Sequence, residues 1–543
     1  MSRPKVLVLG GGYVAITLAR GLRGAIQRGD VDVTVISRDN FHAFHGFVGE
    51  MVTGRIAPGN MLSPVRRIFP PATVHVAEIE AIDLAARVVT TSRHLDGARF
   101  ELAYDELVLA MGTVQNTEAY PGLAEHAFKL KTFADCFALR NHLLEMLELA
   151  DVEPSEEERR RLLTFFVAGG GFSGTELAGE LADFLRLALK HEFSRLKREE
   201  CRVVLVHPGP TILPELQTGW GEGSRRLDSL IEYARRHMQS LGVEVLTDTR
   251  VASATPHEVV LSNGERVPTR TIVSAVGTRP SPVLKDLGVP LDERGRVVVD
   301  ETLRVEGVEG VWAAGDCAAV PHPNGGACPS VGIYALKHGE HVARNIEHRL
   351  ANEPLRPFRY THFGTGVSIG KRTAVGEVKG VSVRGLPAWL LWRGLLLYYF
   401  PTWDRRLRLL ADWSIWPIVG RDIVHMARDD RDLRDHLYQP GQVIAERGRP
   451  VRHVHVIVEG EVELIGRDGE VDPAQTLRAG DHFGRQWIES VGVDALRAST
   501  LVRTVALRAD QAHRLRDVLR STGRLALDEA SLAREAARRD TTP

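Results

Sequence analysis

Apolar and polar positions fall into blocks whose rhythm changes along the chain. Nearly unbroken apolar runs at Lys5 to Leu9, Asp32 to Ile36, Leu163 to Ala168 and Cys201 to Val206 predict strands buried on both faces, as in parallel sheets. The first and third run straight into Gly10-Gly11-Gly12 and Gly169-Gly170-Gly171 and then into helix-compatible stretches. Tyr104 to Leu109 and Val311 to Ala314 read as further core strands, delivering the turn Ala110-Met111-Gly112 and the pair Gly315-Asp316, with a helix expected over Val331 to Arg349. Leu386 to Phe400 is nearly all apolar, holds Arg393 at its centre and stops before Pro401. Beyond about residue 428 the rhythm switches to alternation with Gly turns, at Tyr438 to Ile444, His455 to Leu464 and Arg478 to Gly484, which predicts a small antiparallel β-barrel. Ala526 to Arg539 alternates acids and arginines and reads as a solvated helix or frayed tail.

The paired glycine turns carry the first chemical signal. A strand, a Gly-rich turn and a helix in that order let backbone N–H groups and the helix N-terminus hold a pyrophosphate, so two dinucleotide cofactors are expected. The first fingerprint runs through Gly10, Gly12, Tyr13, Val14 and Ala15, the second through Gly169, Gly171, Phe172 and Gly174. Ala15 is an allowed third small residue. Ser37, followed by Arg38, stands at the end of the second strand where a carboxylate usually holds ribose; its hydroxyl makes one hydrogen bond without the charge. Ala110 and Gly112 form a turn of the shape that lets a chain approach a cofactor closely, an ordinary core strand being the alternative, and Gly277 is a candidate contact for the second cofactor.

Composition narrows the class. A chain of 543 residues suggests about three or four units. A formal net charge of −1 supplies no basic field for nucleic acid, and none is expected as a partner. The cysteines, Cys136, Cys201, Cys317 and Cys328, form no C-x-x-C pair, which fits a reducing compartment and predicts neither disulfide framework nor metal site. The first strand begins within five residues of the start, leaving no room for a signal segment, so the cytoplasmic side is expected.

The chain resembles the two-dinucleotide-binding flavoproteins and, more closely, the type II NADH:quinone oxidoreductases. The likeness covers about residues 4 to 425 and rests on Asn40 to Phe44, Phe47 to Gly54, Gly174 to Leu181, Gly315-Asp316 and Leu386 to Trp392. It implies FAD on the first unit, NADH or NADPH on the second, and hydride delivery from nicotinamide to flavin. By the same likeness Asp316 bonds the ribityl chain, with a helix N-cap as the plain alternative. Glu176 and Glu180 lie four apart on one helix face, and Glu180 is assigned the polar contact near nicotinamide and flavin; the alternative is an acid favoured by the helix dipole. His207 stands where NADH-selective members place a Glu, so the preference over NADPH is not enforced; Arg202, Arg225 and Arg226 are candidate helpers.

Related branches are set aside on chemistry. Disulfide reductases need a cysteine pair just after the first unit, and residues 38 to 70 contain none; sulfide:quinone reductases need redox cysteines at the flavin. The segment Pro329 to Gly339 lacks the glutamines that line the quinone tunnel in well-known members, and Lys337 or His338 is left to stabilise a reduced quinone anion or supply a proton, an imidazole titrating near neutrality. The expected function is an FAD-dependent NAD(P)H dehydrogenase passing electrons to a quinone or similar acceptor by ping-pong kinetics, with Glu180, Lys337 and His338 at the chemistry and most of the rate from aligning the two rings. The alternative is a low-turnover redox sensor or soluble diaphorase regulated through the barrel.

Five of the eight tryptophans fall between Trp389 and Trp416, with Arg405, Arg406 and Arg408 between two apolar stretches, so residues 386–420 read as an amphipathic segment lying on a membrane surface; the alternatives are the protein's own core or a dimer mate. The terminal barrel resembles the cyclic-nucleotide-binding domain. That likeness makes Arg497 the clamp on a cyclic phosphate and places Gly484 and Arg485 in the cassette, but Arg485 stands where the family's ribose-binding Glu belongs, leaving a degenerate dimerisation or damping barrel as the other reading. The expected fold is therefore α/β, with two Rossmann-like dinucleotide-binding domains (1–120 with 285–350 for FAD, 161–284 for NAD(P)H), a connecting helical segment at 121–160, the interface segment at 351–428 and the cyclic-nucleotide-binding-type barrel with its tail at 429–543.

Overall fold

Lys5–Leu9 is the central strand of a five-stranded parallel sheet ordered Val311–Ala313, Glu106–Leu109, Lys5–Leu9, Asp32–Ser37, Thr73–Val76. Its apolar run is unbroken because both faces are covered, and Val6 to Leu9 are all buried. The computed structural model describes residues 3–93, 98–218, 227–360, 362–425, 434–438, 440–446, 453–466, 471–484 and 493–508. The chain divides into two units, Met1–His425 and Met426–Pro543.

In the first unit the turn after Lys5–Leu9 opens helix α1 (Tyr13–Gly21). A second parallel sheet, ordered Phe128–Lys129, Thr271–Ser274, Thr164–Ala168, Arg202–Val206, Val243–Leu246, repeats the plan, with helix α2 (Phe172–His191) leaving the second glycine turn. The chain then returns to the first sheet through Val311–Ala313 and enters helix α3 (Gly332–Leu350), within a residue of the expected span. Helices α1 and α3 touch closely because residue 339 is glycine: a Cβ there would lie 2.2 Å from Val14 O and 2.3 Å from Thr17 Oγ1. Thr17 Oγ1 donates to Leu336 O across the same contact at 2.6 Å.

A three-stranded meander, Gly364–Ser368, Ala374–Val378 and Val381–Gly385, leads into helices α4 (Leu386–Tyr399) and α5 (Trp403–Val419). One face of this pair packs on the first unit's own core, where Phe400 and Leu409 join Phe44, Phe47 and Ile56. The opposite face leaves Leu390, Leu391, Trp403, Ile415 and Ile418 exposed. No helix among the described residues is long and apolar enough to cross a membrane.

The second unit contains two four-stranded sheets of antiparallel pairs, ordered Arg434–Tyr438, Val502–Arg508, His453–Glu459, His482–Phe483 and Val443–Glu446, Ala495–Ala498, Glu461–Ile465, Val471–Arg478. Ile457, Val462, Leu464, Phe483, Leu496 and Val502 form its core. Within the alternating stretch His455 to Leu464 the Gly turn falls at Gly460, whose positive φ of 93° takes the chain from one sheet into the other.

Candidate functional site

The first glycine turn is open. Gly10 has φ 114°, and a Cβ on it would meet Ala110 O at 2.4 Å, so the strand that delivers Ala110 and Gly112 can approach only a glycine. A Cβ on Gly12 or Gly112 would meet nothing within 4 Å, and α1 begins at Gly12 with no side-chain cap and no acid in its first turn. Its leading N–H groups are free to face an anion. Val14 packs against Gly315, and Ala15 is fully buried. Tyr13 meets the rings of His42 and Phe44 and lies 3.5 Å from where a Gly332 Cβ would be, wedging the two helix starts together.

Asp316 sits in the turn Gly315–Cys317 at the end of Val311–Ala313, half-buried. Burial raises its pKa, opposed by the positive fields of Lys131, His45 and Arg296. Ser37 is buried and its hydroxyl donates to Asp39 O at 2.8 Å, so of the two ways it could bond a ribose hydroxyl the accepting one is left. Arg38 turns to Asp39 at 3.3 Å on the exposed side. The uncapped amides, the open glycines and the Asp316 carboxylate fit the diphosphate and polyol of FAD.

The second turn has the same geometry and a different occupancy. Gly169 has φ 112° and faces Ala275 O, and Gly174 lies over Gly169 O, where a Cβ would approach to 1.8 Å. Gly170 N–H donates to His207 Nδ1 at 3.3 Å, and Phe172 N–H donates to Glu215 Oε1 at 3.0 Å. Glu215 was not singled out in the sequence; it follows the turn by more than forty residues, and no local pattern marks it. Arg202 pairs with Glu244 at the far end of the strand from His207, so it is no helper at that position. Gly277 has open space around it. A cleft of about 810 Å³ runs from Phe172, Ser173 and Glu215 past Asp292, Arg294 and Arg296 to His322 and Val331. These residues fit an elongated nucleotide once Glu215 gives way.

Behind the two turns lies a buried ionic network that the sequence did not reveal. Arg55, fully buried, pairs with Glu180 at 3.0 Å and Asp183 at 2.7 Å; Arg421 reaches Asp183 at 2.7 Å. Arg393, whose place in an apolar helix had no explanation in sequence, pairs with Glu50 and lies between the rings of Trp389 and Trp413 at 3.9 and 4.3 Å. Glu180 has 0% exposure and cannot meet a nicotinamide directly, which corrects its assignment: the arginines claim its carboxylate. Glu176, one turn nearer the N-terminus of α2, is half-buried and has no ion-pair partner among the described residues. Burial, with Glu50 and Glu180 nearby, holds its pKa well above the usual carboxylate range. Both Glu side chains lie against Gly49, where a Cβ would be 3.5 Å from Glu176 Cγ and 3.3 Å from Glu180 Cγ.

On α3 the two candidate proton donors separate. Lys337 is partly exposed and pairs with Glu340 at 3.0 Å. His338 is buried, accepts the Gly315 N–H on Nδ1 at 3.2 Å, and burial pulls its pKa down to about 3. It therefore does not titrate near neutrality, and the expectation of a proton-supplying imidazole is replaced by a structural role, pinning the turn that presents Asp316. All four cysteines are free and buried, and burial pushes their thiols up to about 11 or 12, so none is a ready thiolate.

In the second unit, Arg497 projects from Ala495–Ala498 on the side away from buried Leu496 and Ala498 and pairs with Glu463. Gly484 is buried at the end of His482–Phe483. Arg485, Arg225, Arg226 and the tail 526–539 lie outside the described residues.

Comparison with known proteins places these features. Residues 4–341 match the family model of the pyridine nucleotide-disulphide oxidoreductases, and residues 436–520 match that of the cyclic nucleotide-binding domain. The type II NADH:quinone oxidoreductase NdhA of Mycobacterium tuberculosis is 30% identical over 441 residues, covering 78% of this chain and 89% of the relative. The mitochondrial internal alternative NAD(P)H-ubiquinone oxidoreductase A1 of Arabidopsis thaliana is 28% identical, covering 78% and 85%. The solved structure of NDH2 from Plasmodium falciparum in complex with NADH superposes with a TM-score of 0.71 at 17% identity, covering 78% of this chain and all of the other, a likeness of fold.

Proposed function

The chain belongs to the pyridine nucleotide-disulphide oxidoreductases and, within them, to the type II NADH:quinone oxidoreductases, and we propose that it oxidises NAD(P)H and reduces a quinone with the two glycine turns as its two nucleotide seats. The observation that carries this reading is their pairing: each turn leaves the central strand of its own parallel sheet and opens a helix, α1 or α2. FAD, when bound, supplies the isoalloxazine ring that takes up a hydride and gives up electrons to the acceptor. The Gly10–Gly12 turn and α1 would hold its diphosphate, and Asp316, fixed by His338 behind Gly315, would hold its polyol.

The reduced dinucleotide docks at Gly169–Gly174 and lies along the cleft toward Val331. Glu176 is the polar side chain that α2 offers toward the Gly49 segment, with Glu180 behind it as an anchor. Burial and the carboxylates of Glu50 and Glu180 raise the Glu176 pKa well above the usual range, which favours the neutral, hydrogen-bond-donating acid over a second negative charge beside electron-rich rings. His207 carries no negative charge to repel a 2′-phosphate, which supports use of both NADH and NADPH. Positioning supplies most of the rate enhancement.

Two further readings rest on particular faces. The exposed apolar side of α4 and α5, with Arg405, Arg406 and Arg408 beside it, supports peripheral contact with a membrane surface, where a hydrophobic quinone is met. The domain match and Arg497 support a cyclic nucleotide on the second unit, in competition with Glu463 for the guanidinium.

The central test is anaerobic. The purified protein is expected to be yellow, to bleach with NADH and with NADPH, and to recover its colour with a short-chain quinone at turnover rates. Colourless protein, or a flavin that neither cofactor bleaches, overturns the reading; bleaching followed by slow recovery favours a redox sensor.

A further inference from the structure

The two glycine turns differ in one respect that bears on exchange of the nicotinamide substrate. Neither helix has a capping side chain at its N-cap glycine, and at the first turn no side chain among the described residues accepts from the leading amides of α1. At the second, the chain's own side chains already satisfy the amides: Gly170 N–H is held by His207 Nδ1, and Phe172 N–H by Glu215 Oε1. The carboxylate rests directly on the turn, because a Cβ on Gly171 would lie only 2.7 Å from Glu215 Oε1. This is the position from which a diphosphate would receive the same N–H groups.

The contact is built rather than incidental. Leu213 N–H donates to Gly170 O at 2.7 Å, tying the loop that bears Glu215 to the turn, and Ile212, Leu213 and Leu216 are buried beneath it. Leu213 adopts φ 55°, a left-handed conformation unfavourable for a leucine, which its burial and hydrogen bond hold in place. Glu215 Oε2 is buried with no hydrogen-bond partner among the described residues, so within them the carboxylate is incompletely satisfied where it sits. A ligand that supplies two charged oxygens to the amides and lets the carboxylate swing into the open cleft replaces a half-satisfied anion by a fully bonded one.

We propose that Glu215 is an internal stand-in for the substrate's pyrophosphate, a side chain that competes with NAD(P)H for the second glycine turn and keeps the exchangeable nucleotide weaker and faster to leave than the flavin. The proposal rests on the reading that NAD(P)H binds this turn. It makes affinity depend on pH. Burial raises the Glu215 pKa, while its own N–H and that of Phe172 oppose the rise. In the complex the displaced carboxylate stays in the cleft beside the two phosphate charges, which raise its pKa further than burial at the turn does, so binding takes up a proton, tightens as pH falls through these raised values and weakens above them. The other charged groups facing the turn and cleft are His207 with Asp248 beside it, and Asp292, Glu293, Arg294, Arg296 and His322 across the cleft. Asp292 is committed to Arg296 at 2.8 Å.

The test uses the flavin-loaded full chain and ADP-ribose, which carries the pyrophosphate and cannot reduce flavin, with affinity measured by calorimetry between pH 5 and 9. Wild type is expected to bind more weakly as pH rises. Glu215→Gln, which keeps the shape and removes the charge, is expected to bind about threefold to tenfold more tightly than wild type at pH 8, the size of one charge interaction at a helix N-terminus, with a flatter pH profile. A wild-type affinity that is flat with pH overturns the proposal without need of any variant, as does a Glu215→Gln protein of normal flavin content that binds equally or more weakly. Failure of the underlying reading looks different: NADH and NADPH then leave the wild-type flavin oxidised, and ADP-ribose binds neither protein.

Discussion

Arg55 has no exposed side-chain surface and holds two carboxylates, so removing it strands Glu180 and Asp183 in a low-dielectric interior. Arg55→Ala is expected to cost about 3–5 kcal/mol, read in chemical denaturation; a loss under about 1 kcal/mol would mean the pair is not buried in solution. The network also sets an acid limit. Burial pushes the Asp183 carboxyl up, but Arg421 and Arg55 outweigh it and hold its pKa below the usual range, so its stabilisation is present above that range and is lost as pH falls through the lowered value. Glu176 has the opposite sign. Its raised pKa means that the folded state favours the protonated acid, so wild-type stability is complete below the ordinary Glu range and declines as pH rises through the raised value. Glu176→Gln is expected to match wild type in Tm near pH 5 and to exceed it by roughly 2 °C near pH 9, about 1 kcal/mol in a large domain. Equal melting curves at both pH values would show that Glu176 is ionised throughout.

At the scale of elements, close helix approach and one apolar helix face carry the consequences. Gly339→Ala would force α3 off α1 by pushing a methyl into Val14 O and Thr17 Oγ1, and because α3 also carries His338 behind the Asp316 turn, the variant is expected to lose most of its bound flavin. The yellow absorbance of the purified protein measures this directly. The helix pair α4 and α5 makes a separate prediction. Ile418 is 85% exposed and Leu391 56% exposed, so Ile418→Asp together with Leu391→Asp should leave Tm and reduction of a water-soluble quinone unchanged while reducing sedimentation with anionic vesicles. Retention of full vesicle binding would move the contact to another face.

Over the whole molecule, what could be read in sequence was what is local in sequence. The strand, turn and helix of each fingerprint occupy fewer than twenty residues, and their chemistry is backbone chemistry that glycine spacing reports. Glu180 and His338 were placed on the right helices and given the wrong exposure, because neither Arg55 nor the Gly315 amide is near them in the chain. The network that buries Glu50, Arg55, Asp183, Arg393 and Arg421 draws on segments up to about 370 residues apart, and no periodicity announces such a meeting. Arg393 was the one visible sign, a cation within an apolar run that needs a buried partner. Arg497 shows the same logic in the second unit. The likeness to the cyclic-nucleotide-binding domain marks it, while its engagement with Glu463 is not visible in sequence. A cyclic phosphate must take the guanidinium from that carboxylate, so Glu463→Gln should tighten binding of a fluorescent cyclic nucleotide by the full chain, and Arg497→Ala should abolish it. If Glu463→Gln has no effect and Arg497→Ala binds as wild type, the pair is structural, and the unit retains the cyclic-nucleotide-binding fold without its phosphate clamp.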